Sequence, residues 1–306
     1  MELSIAYDPR VRQALDCGAP VVALETAVLT HGLAFPTNLE TVWAMIAAVD
    51  SAGAVPAVVG VLDGTIRVGL DGPDLERLAT HKDARKISSR DLGAACARGA
   101  SGGTTVAGTL AVAHHAGIRV FATGGIGGVH PGHTETLDIS ADLMELARRP
   151  VLTVCAGAKG ILDLPATLEL LETYGIPVVG YGTGQFPAFT VIDSGLAVEW
   201  RVDRPEEAAA LTKAHWRLSD TGIVLCQPTA ADQAMDRLEF DTARSQALSE
   251  AQEGGITGKA VTPYLLRRIA ELTAEDSVIA NQALLIANAI LGAEIAMSLG
   301  AETVSQ

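Results

Sequence analysis

Lysine is scarce in this chain: Lys82, Lys86, Lys159, Lys213 and Lys259 are the only ones in 306 residues. Positive charge as a whole is short, with 22 Lys and Arg against 36 Asp and Glu and a formal net charge of −14. That balance excludes a nucleic-acid polymer or an anionic membrane surface as the main partner. A phosphorylated small molecule is still allowed, because one local cluster of donors can bind it. Cysteine is limited to Cys17, Cys96, Cys155 and Cys226, with no CxxC spacing, so they read as reduced core cysteines of a cytosolic protein. Aromatics are only 4%, so the core must be aliphatic. No apolar run reaches the roughly 18 residues that cross a bilayer. The stretch 1–8 lacks a basic region followed by an apolar one, so no secretory leader is expected. These absences together predict a soluble, cytoplasmic protein.

What is present is ample apolar material, 48% of residues at a mean hydropathy of +0.28. Its pattern alternates between two periods. Strands are expected at 21–29, 55–62, 65–68, 85–88, 119–122, 151–155, 177–181 and 222–226. Between them, helices are expected at 38–52 (with Thr37 as N-cap), 73–80, 90–98 (capped by Ser89), 104–116, 141–148, 165–174, 205–219 and 230–253. Further helices at 263–272 and 277–299 make the last third helical. Asp63-Gly64 is a hairpin turn signal. Strands alternating with helices predict an α/β fold, a three-layer α/β/α arrangement with a largely parallel central sheet. With no linker in sight, residues 1–306 read as a single domain.

Ligands of such sheets bind at the carboxyl ends of the strands, and the unusual segments of this chain fall there. Lys159 closes Val151-Leu-Thr-Val-Cys-Ala-Gly-Ala-Lys159, an apolar, small-residue stretch. Desolvation of a lysine favours the neutral amine that attacks carbonyl carbon, whereas a snorkelling or ion-paired lysine would be structural. Glu25 interrupts Val21-Val-Ala-Leu-Glu-Thr-Ala-Val-Leu29, where a carboxylate is either paired with a cation or kept partly protonated as a general acid. Lys86 and Arg90, with Ser88 and Ser89 between them, suit either an anion site or ordinary surface charge. Ser101-Gly-Gly-Thr-Thr-Val106 opens a helix with glycines and hydroxyls and is a second anion cradle candidate. Asp138-Ile-Ser140-Ala-Asp142 holds two carboxylates that suit either a hard divalent cation or simple helix capping.

Several motifs fail on inspection. Gly125-Ile-Gly127-Gly128-Val-His130 has His130 where a dinucleotide fingerprint needs its third glycine. Gly255-Ile-Thr-Gly258-Lys259-Ala260 lacks both the first glycine and the hydroxyl of a P-loop. His130-Pro-Gly-His133 breaks the helix that a zinc pair usually needs, and His114-His115 reads as structural within an apolar helix.

Longer stretches carry a resemblance. Ala23-Leu-Glu25-Thr26 with His31-Gly32, Lys86-Ile-Ser-Ser-Arg90-Asp91, Gly103-Thr-Thr-Val106 and Phe121-Ala-Thr-Gly-Gly-Ile-Gly-Gly-Val-His130 come first. Asp138-Ile-Ser-Ala-Asp142-Leu, Val154-Cys-Ala-Gly-Ala-Lys159, Phe186-Pro-Ala-Phe189, Gly258-Lys-Ala-Val-Thr-Pro263 and Ala280-Asn281 extend it over nearly the whole chain. Together they resemble the pseudouridine-5'-phosphate glycosidases, the indigoidine synthase A-like family. The resemblance implies reversible cleavage of a carbon–carbon glycosidic bond, giving uracil and ribose 5-phosphate. It implies Lys159 as the nucleophile that forms a Schiff base with the opened ribose, and Glu25 as proton donor. It also implies substrate contacts from Lys86, Val106, Ser140, Ala141, Asp142 and Asn281, Mn2+ held by Asp138, and a homotrimer. The chain departs from the pattern at Pro131, Gly160 and Ala287. A ribokinase-like sugar kinase would need a Gly-rich motif with an aspartate base in the C-terminal third, which is not found; a catalytically silent binding protein would keep the fold alone.

Overall fold

Neighbouring residues of a strand face opposite sides of its sheet, and here each side feeds its own core. Val21 and Ala23 enter one apolar layer while Val22 and Leu24 enter the other. Ala57, Val59 and Val61 are divided in the same way from Val58 and Leu62. Burial on both faces requires helices on both faces, and the computed structural model, which describes residues 5–300, has them. The strands are β1 (Ile5–Tyr7), β2 (Val21–Leu24), β3 (Val55–Leu62), β4 (Thr65–Val68), β5 (Arg85–Ile87) and β6 (Gly102–Thr104). They continue with β7 (Val120–Ala122), β8 (Leu152–Cys155), β9 (Val178–Tyr181), β10 (Trp200–Val202) and β11 (Ile223–Cys226). The sheet order is β1-β4-β3-β2-β7-β8-β11-β9-β10, with β6 beside β3 and β5 beside β6.

From β3 to β10 every pairing along that path is parallel. The antiparallel pairings are those of β4 and β6 with β3, and β1 and β5 run parallel to β4 and β6 in turn. Helices Pro9–Asp16, Val106–Ala116, Leu164–Thr173 and Arg237–Glu253 cover one face. Thr37–Ser51, Gly72–Ala79, Pro205–His215 and Asp276–Gly300 cover the other. The three-layer α/β/α expectation therefore holds.

Several boundaries differ from the sequence reading, each for a physical reason. The strand expected at 21–29 stops at Leu24, and a five-residue π-helical turn follows at Val28–Gly32. Thr26 ends the strand: its carbonyl accepts from the amides of Leu29 and Thr30, and its hydroxyl donates to Val59 O at 2.6 Å. The helix expected at 230–253 begins only at Arg237, where the Asp236 side chain caps it. Thr37 lies inside its helix, not at the cap. Ser88, rather than Ser89, precedes the turn at Ser89–Asp91, and the Asp91 carboxylate accepts from its amide at 3.0 Å. Gly102–Thr104, expected to open a helix, is a strand, because β3 and β5 flank it.

The C-terminal helix bears on the membrane reading. Asn281, Gln282 and Asn288 interrupt its apolar run, yet the 25-residue helix Asp276–Gly300 contains a stretch of mean hydropathy 1.7, long and apolar enough to cross a bilayer by length and composition. Half of that stretch is buried inside the fold, packed on β2, β7 and β8. Of the cysteines, Cys155 and Cys226 are core residues, while Cys17 is exposed. Residues 1–4, part of the N-terminal segment read for a leader, lie outside the described residues.

Candidate active site

After β2 the chain proceeds to β3 on one side, and later enters β7 on the other side. The gap between the ends of β2 and β7 is thus a topological switch point, the usual ligand site of an open α/β sheet. A cavity of about 380 Å³ lies there. Glu25, Lys86, Val106, Asp138, Ser140, Ala141, Asp142, Lys159 and Asn281 all line it, so the structure gathers every expected site residue in one place. Arg90, His31, His130, Thr105 and Phe189 also reach its wall.

Glu25 follows the last residue of β2 and is buried, at 8% exposure. The Thr123 hydroxyl, at the end of β7, donates to Glu25 Oε1. Burial pushes the Glu25 carboxyl above its ordinary range. The Lys159 charge, the Thr123 hydroxyl and Lys86 pull it back down, and Asp142 adds a push upward. Both elements of the sequence reading of this carboxyl meet here, a cation nearby and enclosure that raises it, and enclosure is the larger. Behind Thr123, the Asn288 side-chain amide donates to Thr123 O at 2.8 Å while its own Oδ1 has no protein partner. The sequence offers Thr123 only as the first residue of the glycine-rich segment and Asn288 only as the end of the C-terminal resemblance beside Ala287; their hydrogen bonds around Glu25 emerge in the fold.

Lys159 stands beyond the end of β8, half-buried rather than enclosed. Its Nζ donates to Gly125 O, its amide donates to Ile126 O at 3.0 Å, and its carbonyl accepts from Leu162 N–H at 3.0 Å. The loop after β7 therefore fixes both the backbone and the amine of Lys159. Phe189, itself at φ 66, lies against that loop: a Cβ on Gly125 would meet its ring at 2.8 Å.

Asp142 is buried at 6% and spends its carboxylate on the protein. Oδ1 accepts from Ala107 N–H at 2.9 Å and Oδ2 from Gly127 N–H at 2.7 Å. It ties the start of helix Val106–Ala116 to the glycine loop, so its contribution is to shape two cavity walls. Gly127 has no room for a side chain, because Ser140 Oγ and Asp142 Oδ2 occupy that space. Ser140 caps helix Ala141–Leu146 by accepting from Asp142 N–H at 3.3 Å. Replacing Asp142 with Ala leaves two amides unpaired, and we expect about 2–4 kcal/mol of lost stability. A urea-unfolding midpoint unchanged from the parent would contradict that assignment.

The cationic side of the cavity is Lys86, whose charge acts on Glu25, His31 and His130. His31 is held below its ordinary range by burial and then by Lys86, and its Nδ1 lies 2.6 Å from Thr30 Oγ1. His130 is lowered by burial, against Asp138, with Lys86 and Lys159 assisting. Both imidazoles are therefore neutral donors or acceptors near pH 7. Asp138 lines the cavity one turn of chain from His130, whose amide donates to Asp138 O at 3.0 Å. Among the described residues, no three His, Cys, Asp or Glu side chains converge as a ligand set. A lone carboxylate suits only a hard cation that keeps most of its waters. His114 and His115 lie exposed in the last turn of their helix, away from this cavity.

Residues 10–298 match the family described as indigoidine synthase A like protein. A pseudouridine-5'-phosphate glycosidase of Methylobacterium nodulans is 53% identical over 294 residues, spanning 96% of this chain and 87% of its own length. Its counterpart in Herpetosiphon aurantiacus is 50% identical over 95% of this chain and 96% of its own. Among solved structures, the prealnumycin C-glycosynthase AlnA in complex with ribulose 5-phosphate superposes with a TM-score of 0.90 at 38% identity, over 98% of both chains. An indigoidine synthase A-like protein of Thermotoga maritima gives a TM-score of 0.89 at 32% identity, over 97% of both.

Proposed function

The chain belongs to the indigoidine synthase A-like family, and from that premise we propose that it is a pseudouridine-5'-phosphate glycosidase working through an imine on Lys159. The observation that carries the reading is the meeting of Lys159 with a buried, raised-pKa Glu25 in one cavity at the switch point of the sheet. A carbon–carbon glycoside has no leaving oxygen to protonate, so the two-carboxylate route of ordinary glycosidases is closed. Breaking that bond needs an electron sink at C1', and an iminium supplies one.

The Glu25 carboxyl gives its proton to the ribose ring oxygen as the bond between C1' and that oxygen breaks, the uracil ring supplying the electron pair. The Lys159 amine then adds to C1' and passes a proton to the Glu25 carboxylate. The bond from C1' to uracil C5 breaks next: its electrons return to the uracil ring, which takes a proton at C5 from the reprotonated Glu25, while the Lys159 nitrogen and C1' form the iminium. Water hydrolyses the iminium, releasing ribose 5-phosphate and restoring the amine. The sum is pseudouridine 5'-phosphate plus water giving uracil plus ribose 5-phosphate, with no change in oxidation state. Lys86 supports the anionic substrate, the Val106 backbone and Ser140-Ala-Asp142 form its walls, and Asn281 faces it from the C-terminal helix.

Mn2+ belongs to this reading: Asp138 would hold it, and when bound it would supply positive charge toward the anionic substrate. Asp138→Asn is expected to lower activity in a way that added manganese rescues poorly. Full activity of that variant in chelator would remove Asp138 from the mechanism. Residues 1–306 acting as one unit, a cytoplasmic setting and a homotrimer complete the proposal. The test is uracil release from pseudouridine 5'-phosphate with manganese present and absent; no release under either condition overturns the assignment.

A further inference from the structure

The residue that follows Lys159 is gripped from outside the sheet. Arg244 Nη1, on helix Arg237–Glu253, donates to Gly160 O at 3.1 Å. One turn earlier on the same face, Phe240 lies over Gly160 so closely that a Cβ there would meet its ring at 2.7 Å and Ala188 O at 3.0 Å. Gly160 and Phe240 are both buried, and Arg244 keeps its Nε without a partner while making this contact. On the other side of Lys159 the chain is tied to the loop after β7, through the Lys159 amide to Ile126 O and the bridge between Ile126 and Ala158. Lys159 is therefore held between two separate pieces of the protein.

The helix that grips Gly160 also reaches the cavity wall. Arg268 pairs with Glu250 at 2.5 Å and 2.9 Å, joining it to helix Val261–Leu272. Thr262, Pro263 and Leu266 of that second helix line the cavity. At its start, Arg237 Nη1 donates to Asp193 O at 3.1 Å.

We propose that Arg244 and Phe240 are positioning residues for Lys159, fixing Gly160 and the Gly160–Ile161 peptide next to it and so the direction in which the amine enters the cavity. The proposal rests on the reading of Lys159 as the imine-forming nucleophile. A charge-assisted bond to a buried carbonyl fixes the peptide plane, and the glycine lets the Phe240 ring close over it. Gly160, one of the departures from the family pattern, is in this chain the counterpart of its own Phe240.

The experiment measures the rate of borohydride trapping at saturating ribose 5-phosphate, per folded molecule, alongside the KM for the sugar. For Arg244→Ala the trapping rate should fall by about 10–100-fold, the scale of a misplacement of about 1 Å, while KM stays close to that of the parent. Arg244→Lys should recover part of the rate by supplying one donor. Gly160→Ala should slow trapping, and Phe240→Leu in the same chain should restore it by clearing the ring. An Arg244→Ala protein that folds and traps at the parental rate overturns the positioning role. Should that variant fail to fold, the Gly160 and Phe240 pair decides: no slowing by Gly160→Ala, or no rescue, overturns it equally. A parental protein that never traps the sugar contradicts the nucleophile reading itself, a separate result.

Discussion

Replacing Lys159 with Ala should abolish sugar trapping and lower uracil release by at least about 10³-fold, because the amine that bonds to C1' is gone. The more telling variant is Lys159→Arg. It keeps a cation beside Glu25 and a donor toward Gly125 O, the partner of the lysine in the parent. A guanidinium does not lose its proton in proteins and cannot form an imine. If Lys159 served only as a charge or a hydrogen-bond donor, Arg would preserve much of the activity. Arg should instead be as inactive as Ala. Lys86 remains in the cavity in both variants, so binding of the sugar phosphate should change far less than turnover.

Glu25→Gln should cost about 10²–10⁴-fold in turnover, the usual contribution of a general acid. Its pH behaviour is a sharper test. The carboxyl is raised in the folded protein chiefly by burial, so the proton donor is present below that raised value and is lost as pH climbs through it. Parental turnover should therefore decline on the alkaline side, and the residual activity of Glu25→Gln should lack that decline. Stability follows the same sign. Between the unfolded and the raised folded value, the native state binds more protons than the unfolded state, so stability falls with rising pH. The favourable contribution is complete below the unfolded value and gone above the folded one. Glu25→Gln should remove this dependence, so melting temperatures of variant and parent should diverge in the variant's favour as pH rises. A parental protein whose stability rises across that window would contradict a buried, raised carboxyl.

What was legible in the sequence was the part carried by local rules. The bounds of β3 and β4 agree with expectation to the residue, because their apolar patterning flanks Asp63-Gly64, and both turn residues adopt the positive φ such a turn needs. Lys159 and Glu25 stood out because a charge within an apolar run has to be accounted for. What stayed hidden depended on partners far along the chain. β6 contains two glycines and has little intrinsic preference for a strand, and exists because β3 and β5 pair with it. β1 and β10, three residues each, are too short to register a period. The Asp142 carboxylate binds amides 35 and 15 residues away, and since both donors are backbone groups no residue type announces them. The raised state of Glu25 likewise depends on enclosure that only the assembled cavity provides.

The central claim is the covalent bond between Lys159 and the sugar. Incubation of the parental protein with ribose 5-phosphate and borohydride, followed by peptide mass analysis, tests it most directly. The account predicts a reduced ribose 5-phosphate adduct on the peptide carrying Lys159 and its disappearance in Lys159→Arg. A folded, uracil-releasing protein with no adduct, or an adduct that persists in Lys159→Arg, would contradict it.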